Sequence, residues 1–127
     1  DPIKLSETLS GIIVQRLVRK VCQGCAKPYK LRAKTIEAIG FPVDAEAGWV
    51  QGQGCAQCNG SGYHGKTAIF EIIPIGEELK EVIKQQPSEL LLKKALRAQK
   101  VRTLRRAGLI RAKAGVTSVA EVLRVTS

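Results

Sequence analysis

The chain has 127 residues, of which 44% are hydrophobic and 25% are charged, a composition typical of a globular protein and not of a disordered one. This length holds one ordinary domain, or a core with a small metal module. Lys and Arg outnumber Asp and Glu by 21 to 11, which points to nucleic acid, an anionic membrane surface or an acidic protein surface as a partner. No apolar run is long enough to span a membrane.

The chain opens with Asp1-Pro2, the form of an N-cap followed by a proline in the first helical turn. Apolar residues then recur at helical spacing, which predicts one helix that runs to the first cysteine. They are Leu5, Leu9, Ile12, Ile13 and Leu17. Arg16, Arg19 and Lys20 lie mostly off this stripe, on a predicted solvated face. Methionine is absent even at position 1, so we expect a segment of a longer protein.

Four cysteines in two C-x-x-C pairs are the strongest motif of the sequence. Cys22 and Cys25 form the first pair, and Cys55 and Cys58 form the second. The two-residue gap lets both sulfurs of a pair face one point, and the intervening stretch is long enough to bring the second pair back. Four thiolates at about 2.3 Å around one ion are the ligand set of structural Zn²⁺. We therefore predict a closed zinc site that folds its surroundings and is not catalytic.

Three other interpretations of the cysteines are weaker. A secreted disulfide framework would need a shorter, cysteine-denser chain, and no stretch of the given sequence resembles a signal peptide. A thioredoxin-like redox site would need one C-x-x-C in a βαβ unit and not two matched pairs. Four unrelated reduced cysteines in a core remain as the plainest alternative. Reduced cysteines favour the cytoplasm as the compartment.

Between the cysteine pairs, 33–39 is predicted as a helix closed by Gly40, and 47–50 as a short strand. Trp49 is the single tryptophan of the chain, and we expect it in the core of a small module and not in a ligand site.

The segment after the second pair matches two further patterns. Residues 60–67 fit the phosphate-binding P-loop pattern, but a P-loop lies between a buried strand and a helix. Here a polar knuckle precedes the match, and residues 67–73 are β-branched and predicted as a strand, so we reject this interpretation. Residues 55–62 fit the zinc repeat of DnaJ-type co-chaperones, a likeness of knuckle geometry. His64 is predicted to be a solvated loop residue.

Helices dominate after Pro74. The pattern predicts a helix over 77–86, a second one capped by Ser88, and a third that starts near Thr103 and is closed by Gly115. A capping box formed by Ser118 and Glu121 predicts a last short helix. Five basic residues cluster here, most simply on a solvated face, with contact to an anionic partner as the alternative: Arg102, Arg105, Arg106, Arg111 and Lys113.

The whole chain resembles the C-terminal region of the type II secretion and type IV pilus assembly ATPases. The resemblance rests on ordered matches along the sequence, in residues 14–22, 54–58, 62–71, 103–109 and 114–126. It implies a parent that is a hexameric ATPase on the cytoplasmic face of the bacterial inner membrane. The parent's ATP turnover would drive pseudopilus or pilus assembly through sister subunits and an inner-membrane platform protein.

The resemblance also implies where each cofactor binds. ATP and Mg²⁺ would bind in an upstream domain, so this segment would be non-catalytic. Cys22, Cys25, Cys55 and Cys58 would correspond to the family's zinc ligands. No specific nucleic acid is expected, whereas peripheral membrane contact remains open.

We therefore predict an α+β fold, mainly helical, with a small tetracysteine zinc module that contains a short antiparallel strand pair. Residues 1–21 would be a helix of the upstream core, 22–75 the zinc module and 76–127 a helical subdomain. The predicted role is structural and protein-interacting. The alternative, from another class of protein, is a zinc ribbon that binds nucleic acid. Its basic charge supports it, and an aromatic content of 4% argues against it.

Overall fold

The computed structural model describes residues 1–99 and 102–127, and they form two compact units. Unit 1 contains Asp1–Val14 and Phe70–Thr103, and unit 2 contains Gln15–Ile69 and Leu104–Ser127. Neither unit coincides with one of the three predicted segments, and that threefold division remains a prediction. No helix in the described ranges is both long enough and apolar enough to cross a lipid bilayer.

The elements confirm the predicted α+β class, with helices in the majority and an antiparallel strand pair. The helices are α1 (Pro2–Thr8), α2 (Ala33–Ile39), α3 (Glu77–Lys84), α4 (Glu89–Ala98), α5 (Leu104–Lys113) and α6 (Val119–Thr126). The strands are β1 (Gly11–Val21), β2 (Ala26–Pro28), β3 (Val50–Gly52) and β4 (Tyr63–Pro74). Strands β1 and β4 pair in one two-stranded sheet, and β2 and β3 pair in another.

The prediction of one helix over residues 1–21 is wrong after its first two turns. Asp1 caps α1 as expected, because its side chain accepts a hydrogen bond from the Ile3 N–H at 3.0 Å. The chain then becomes the strand β1 from Gly11 to Val21. This stretch is rich in β-branched residues, which lose side-chain freedom in a helix and pack well in a sheet, and β4 supplies the partner strand.

Unit 1 is built from short helices around a small apolar cluster. Ile73, Ile75 and Leu79 are buried at its centre, and α1 and α4 both contact α3. The predicted N-cap Ser88 is confirmed, since its hydroxyl accepts a hydrogen bond from the Leu91 N–H at 3.3 Å. The first predicted helix of this region ends at Lys84, two residues early.

Unit 2 contains the cysteines and the larger core. Its buried apolar residues come from the segment between the cysteine pairs and from α5 and α6, and they are Leu31, Ile39, Trp49, Leu109, Ala112, Val119 and Val122. Trp49 is 3% exposed, which confirms its predicted place in a core. Helix α2 ends at Gly40 with a φ of 89°, as the glycine signal predicted. The short strand begins at Val50 and not at Ala47.

Candidate metal centre

A short antiparallel ladder brings the two cysteine pairs together. Strand β2 begins directly after Cys25, and β3 ends shortly before Cys55. In their register Ala26 lies opposite Gly52, and Pro28 lies opposite Val50. The Gln53 N–H then donates to the Cys25 carbonyl at 3.1 Å, which continues the ladder to the first knuckle. The segment between the two cysteine pairs therefore starts and ends beside the same cluster of cysteines.

Tight turns shape the second knuckle. Residues 56–58 form one 3-10 turn, and Asn59 follows in the left-handed region with a φ of 53°. Gly60 continues with a φ of 81°, and its N–H donates to the Cys55 carbonyl at 2.9 Å. The Ser61 hydroxyl donates to the Cys58 carbonyl at 2.8 Å. The backbone of residues 55–62, which fit the co-chaperone zinc repeat, thus curls around the sulfurs.

The four sulfur atoms lie at the corners of one small cluster. All four Sγ atoms are within 4.8 Å of one another. The pairs Cys22–Cys55, Cys25–Cys58 and Cys55–Cys58 are each 3.8 Å apart, so none of the four cysteines is in a disulfide. Sulfurs that are about 2.3 Å from a central ion at tetrahedral corners lie about 3.8 Å from each other. The spacing therefore fits a tetrahedral ion with four sulfur ligands.

Backbone N–H groups surround the sulfurs. Gly54 donates to the sulfur of Cys25 at 3.3 Å, and Cys55 and Gly62 donate to that of Cys58 at 3.3 and 3.2 Å. Although burial opposes ionisation, these last two donors lower the pKa of Cys58 to about 6. Burial raises the pKa of Cys22 to about 11. A bound cation would stabilise the thiolate form of both residues, because cysteine binds a metal ion only after it has lost its proton.

Two glycines let the backbone strands of the site approach each other. A Cβ placed on Gly52 would lie 2.6 Å from the Cα of Gly62 and closer still to its carbonyl oxygen. That carbonyl accepts a hydrogen bond from the Cys22 N–H at 2.9 Å. Gly62, with a φ of 83°, therefore bonds to both cysteine pairs, and only a glycine at position 52 leaves it room.

The end of β1 is also bonded to the loop before α6. The Val21 N–H donates to the Val116 carbonyl at 2.9 Å, and the Thr117 hydroxyl donates to the Arg19 carbonyl at 2.7 Å. The hydroxyl groups of Tyr63 and Ser118 lie 2.6 Å apart. The residues on both sides of the site are thus fixed to the start of α6.

Glu121 forms a buried ion pair that the sequence did not predict. Its carboxylate accepts hydrogen bonds from the Arg19 backbone N–H at 2.7 Å and from the guanidinium groups of Arg19 and Arg124 at 2.8 to 3.1 Å. Ser118 caps α6 as predicted, but the Glu121 side chain does not return to it, so the predicted capping box is only half formed. Arg19, predicted on a solvated face, also lies 4.1 Å above the Tyr63 ring.

The P-loop match has the surroundings that the sequence predicted, whereas His64 is exposed as predicted but lies in strand β4 and not in a loop. Lys66 and Thr67 lie within β4, so the helix that a phosphate loop requires does not follow them. His64 is exposed and is not a member of the cysteine cluster.

Two of the five clustered basic residues have contacts within the protein. The Arg105 guanidinium donates to the Ala38 and Ile39 carbonyls at 3.1 and 3.2 Å and also bonds Thr126 near the end of α6. Arg106 lies 4.4 Å above the Phe41 ring. Spacing alone could not reveal these contacts, because the partners are far away in sequence.

Known proteins match nearly the whole chain. A family described as "Type II/IV secretion system protein" matches residues 1–124. The type IV pilus assembly ATPase PilB of Thermus thermophilus is 36% identical, over 99% of this chain and 14% of that protein. Type II secretion system protein E of Aeromonas hydrophila is 35% identical and type II secretion system ATPase E of Vibrio cholerae 32%, each over 99% of this chain and 25% of the relative. The chain thus spans a quarter or less of these relatives.

Proposed function

The chain belongs to the type II/IV secretion system protein family, and from this premise we propose that it is the zinc-binding part of a secretion or pilus-assembly ATPase. In this proposal Cys22, Cys25, Cys55 and Cys58 are the ligands of one structural Zn²⁺. When bound, the ion supplies four metal–sulfur bonds and no open coordination position.

The observation that carries the proposal is the spacing of the sulfurs. Three Sγ pairs at 3.8 Å have the edge length of a tetrahedral zinc–sulfur site, and two of them join cysteines that are 33 residues apart in sequence. The N–H donors from Gly54, Cys55 and Gly62 stabilise the thiolate charge that the ion attracts. The buried cluster around the sulfurs consists of the cysteines themselves, so the ion would hold the two knuckles together.

The proposed role of unit 2, which contains the zinc site, is to give structure to a larger motor and to bind its other proteins. The parent would be a hexameric ATPase with ATP and Mg²⁺ in a separate domain, at the cytoplasmic face of the inner membrane. Sister subunits and an inner-membrane platform protein are the proposed partners. The names of the relatives, a pilus assembly ATPase and a type II secretion ATPase, support this choice of machine.

Substitution of one ligand tests the zinc proposal. Cys55→Ser should release the metal and lower the melting temperature of unit 2 by tens of degrees, because structural zinc contributes about 10 kcal/mol or more to folding in small zinc domains. His64→Ala is the matched control, since His64 is exposed beside the same knuckle and is not in the cysteine cluster. If Cys55→Ser keeps its metal and its melting temperature, the site is not a zinc site.

The proposed place in a motor needs the longer protein. Cys55→Ser in the full-length ATPase should leave ATP hydrolysis in place and abolish pilus assembly or secretion, whereas His64→Ala should preserve both. Normal assembly by the cysteine variant would contradict the interaction role. The rival interpretation, a nucleic-acid-binding zinc ribbon, instead requires generic DNA or RNA to bind with a steep dependence on salt.

A further inference from the structure

Unit 2 carries an apolar groove that does not involve the cysteines. It has a volume of about 300 Å³ and lies between the segment 41–49 and one side of α5. We call it the Trp49 groove, and its main lining residues are Phe41, Trp49, Arg106, Leu109, Ile110 and Lys113.

The floor of the groove is apolar and fixed in position. Trp49 and Leu109 are 3% and 5% exposed and belong to the core of unit 2. The indole N–H of Trp49 donates to the Asp44 carbonyl at 2.7 Å, so the ring has its polar atom satisfied and turns an apolar surface to the groove. Ile110 is 47% exposed at the wall. A large apolar side chain entering the groove would therefore find preformed contacts.

The wall of the groove is positively charged. Arg106, Ile110 and Lys113 recur at a spacing of three to four residues, which places them on one side of α5. This helix contains no acidic residue. The Arg106 guanidinium is held 4.4 Å above the Phe41 ring, and Lys113 is exposed. The lining also contains one carboxylate, Asp44, which accepts a hydrogen bond from the Glu46 N–H at 2.9 Å, so the two cations outnumber it.

We propose that the Trp49 groove binds a short acidic peptide segment of another protein. One large apolar side chain of the segment packs on Phe41 and Ile110, above the buried Trp49. The carboxylates of the segment face Arg106 and Lys113. A concave site of this volume suits one or two side chains, whereas a membrane contact needs projecting apolar residues. None of the four cysteines lines the groove.

Peptide selection followed by titration tests this proposal. Display of random peptides against the whole chain should enrich peptides that combine Asp or Glu with a large apolar residue. A synthetic copy of an enriched peptide should change the fluorescence of Trp49, which is the single tryptophan of the sequence. At physiological salt it should bind Lys113→Glu about fivefold more weakly or worse. A selection repeated on Lys113→Glu should lose the preference for acidic residues.

Arg111→Glu is the matched control, because Arg111 is exposed on the same helix, lies outside the lining of the groove and undergoes the same charge change. It should bind the peptide as the unaltered chain does. Ile110→Ser, at an exposed position, should weaken binding without unfolding the protein. Enrichment without acidic residues, or equal affinity for Lys113→Glu and the unaltered chain, would overturn the proposal. Self-association, or binding of phosphatidylserine vesicles, that only Lys113→Glu abolishes would overturn it too, in favour of a second copy or a lipid surface.

Discussion

Among the described residues, Glu121 is the charged side chain that lies fully buried. Burial of a lone carboxylate is costly, and here Arg19 and Arg124 supply charged hydrogen-bond donors on both sides. The two arginine side chains remain 41% and 58% exposed, so water screens part of the attraction. This carboxylate fixes the end of β1 to α6, close to the first cysteine pair.

We predict that Glu121→Gln lowers the free energy of unfolding by about 2 to 3 kcal/mol at neutral pH. The substitution removes the negative charge to which both guanidinium groups are hydrogen-bonded, so these groups lose their charged partner. Because the two arginines are partly exposed, the cost stays below that of breaking a fully buried ion pair. Urea unfolding measures the effect. Glu89→Gln is the control, since Glu89 pairs with Lys93 on the surface of α4 and should contribute less than about 0.5 kcal/mol. Equal effects of the two substitutions would refute the assigned role.

The same carboxylate predicts a dependence of stability on pH. Although burial alone would raise it, donation from Arg124 and Arg19 lowers the pKa of Glu121 from 4.5 to about 2. A carboxyl group whose pKa is lowered in the folded state contributes its full stabilisation above the pKa of the unfolded state. This contribution is lost as the pH falls toward 2. The stability gap between the native chain and Glu121→Gln should therefore be constant above pH 5 and shrink progressively as the pH falls from 4.5 toward 2. Loss of metal in acid affects both proteins, so a gap at pH 2.5 as large as the gap at pH 7 would contradict this assignment.

At the scale of elements, the contact of β3 with the loop before β4 depends on Gly52. We predict that Gly52→Ala destabilises the protein by about 2 kcal/mol, because its Cβ would press on the backbone of Gly62. Gly62 donates to the sulfur of Cys58 and accepts from the Cys22 N–H, so zinc affinity should also fall by about tenfold. Calorimetric melting and competition with a zinc chelator measure the two effects.

Gly11→Ala provides the comparison. A Cβ at Gly11 would lie 3.6 Å from the Ile73 carbonyl oxygen, an ordinary contact. This substitution should leave zinc affinity unchanged and alter stability by about 0.5 kcal/mol or less, in the stabilising direction if at all. If Gly52→Ala behaves in the same way, the close approach of the two glycines does not support the site.

Local signals predicted the ends of elements well. Asp1, Ser88 and Ser118 cap helices through side-chain hydrogen bonds two or three residues away, and Gly40 ends α2 in the left-handed region. Such contacts lie within one turn of the sequence and need no knowledge of the fold. The interior of Gly11–Val21 could not be predicted in this way, because its apolar spacing suits a helix and its structure depends on pairing with β4.

For the candidate site as well, the short-range sequence pattern was predictive and the long-range contacts could not be foreseen. The two C-x-x-C pairs predicted that Cys22, Cys25, Cys55 and Cys58 would meet, and their sulfurs do lie together. The Gly52–Gly62 contact could not be predicted, because it joins positions that the sequence does not relate. The same holds for the bonds from Arg19 to Glu121, whose partners are 102 residues apart.

At the scale of the whole molecule, the formal charge of +10 overstates the free positive surface. Arg19 is bonded to a buried carboxylate and Arg105 to backbone carbonyls. Composition counts these groups as solvated cations, whereas the fold uses them to join segments of unit 2. An anionic partner must therefore be argued from a particular surface, such as the Trp49 groove, and not from the net charge.

We propose above all that one zinc ion held by both cysteine pairs organises unit 2. Zinc-edge X-ray absorption of the purified chain, together with elemental analysis, tests it most directly. The account predicts one zinc per chain with four sulfur neighbours at about 2.3 Å and no nitrogen or oxygen ligand. A chain without stoichiometric metal, or a zinc with fewer than four sulfur neighbours, would contradict it.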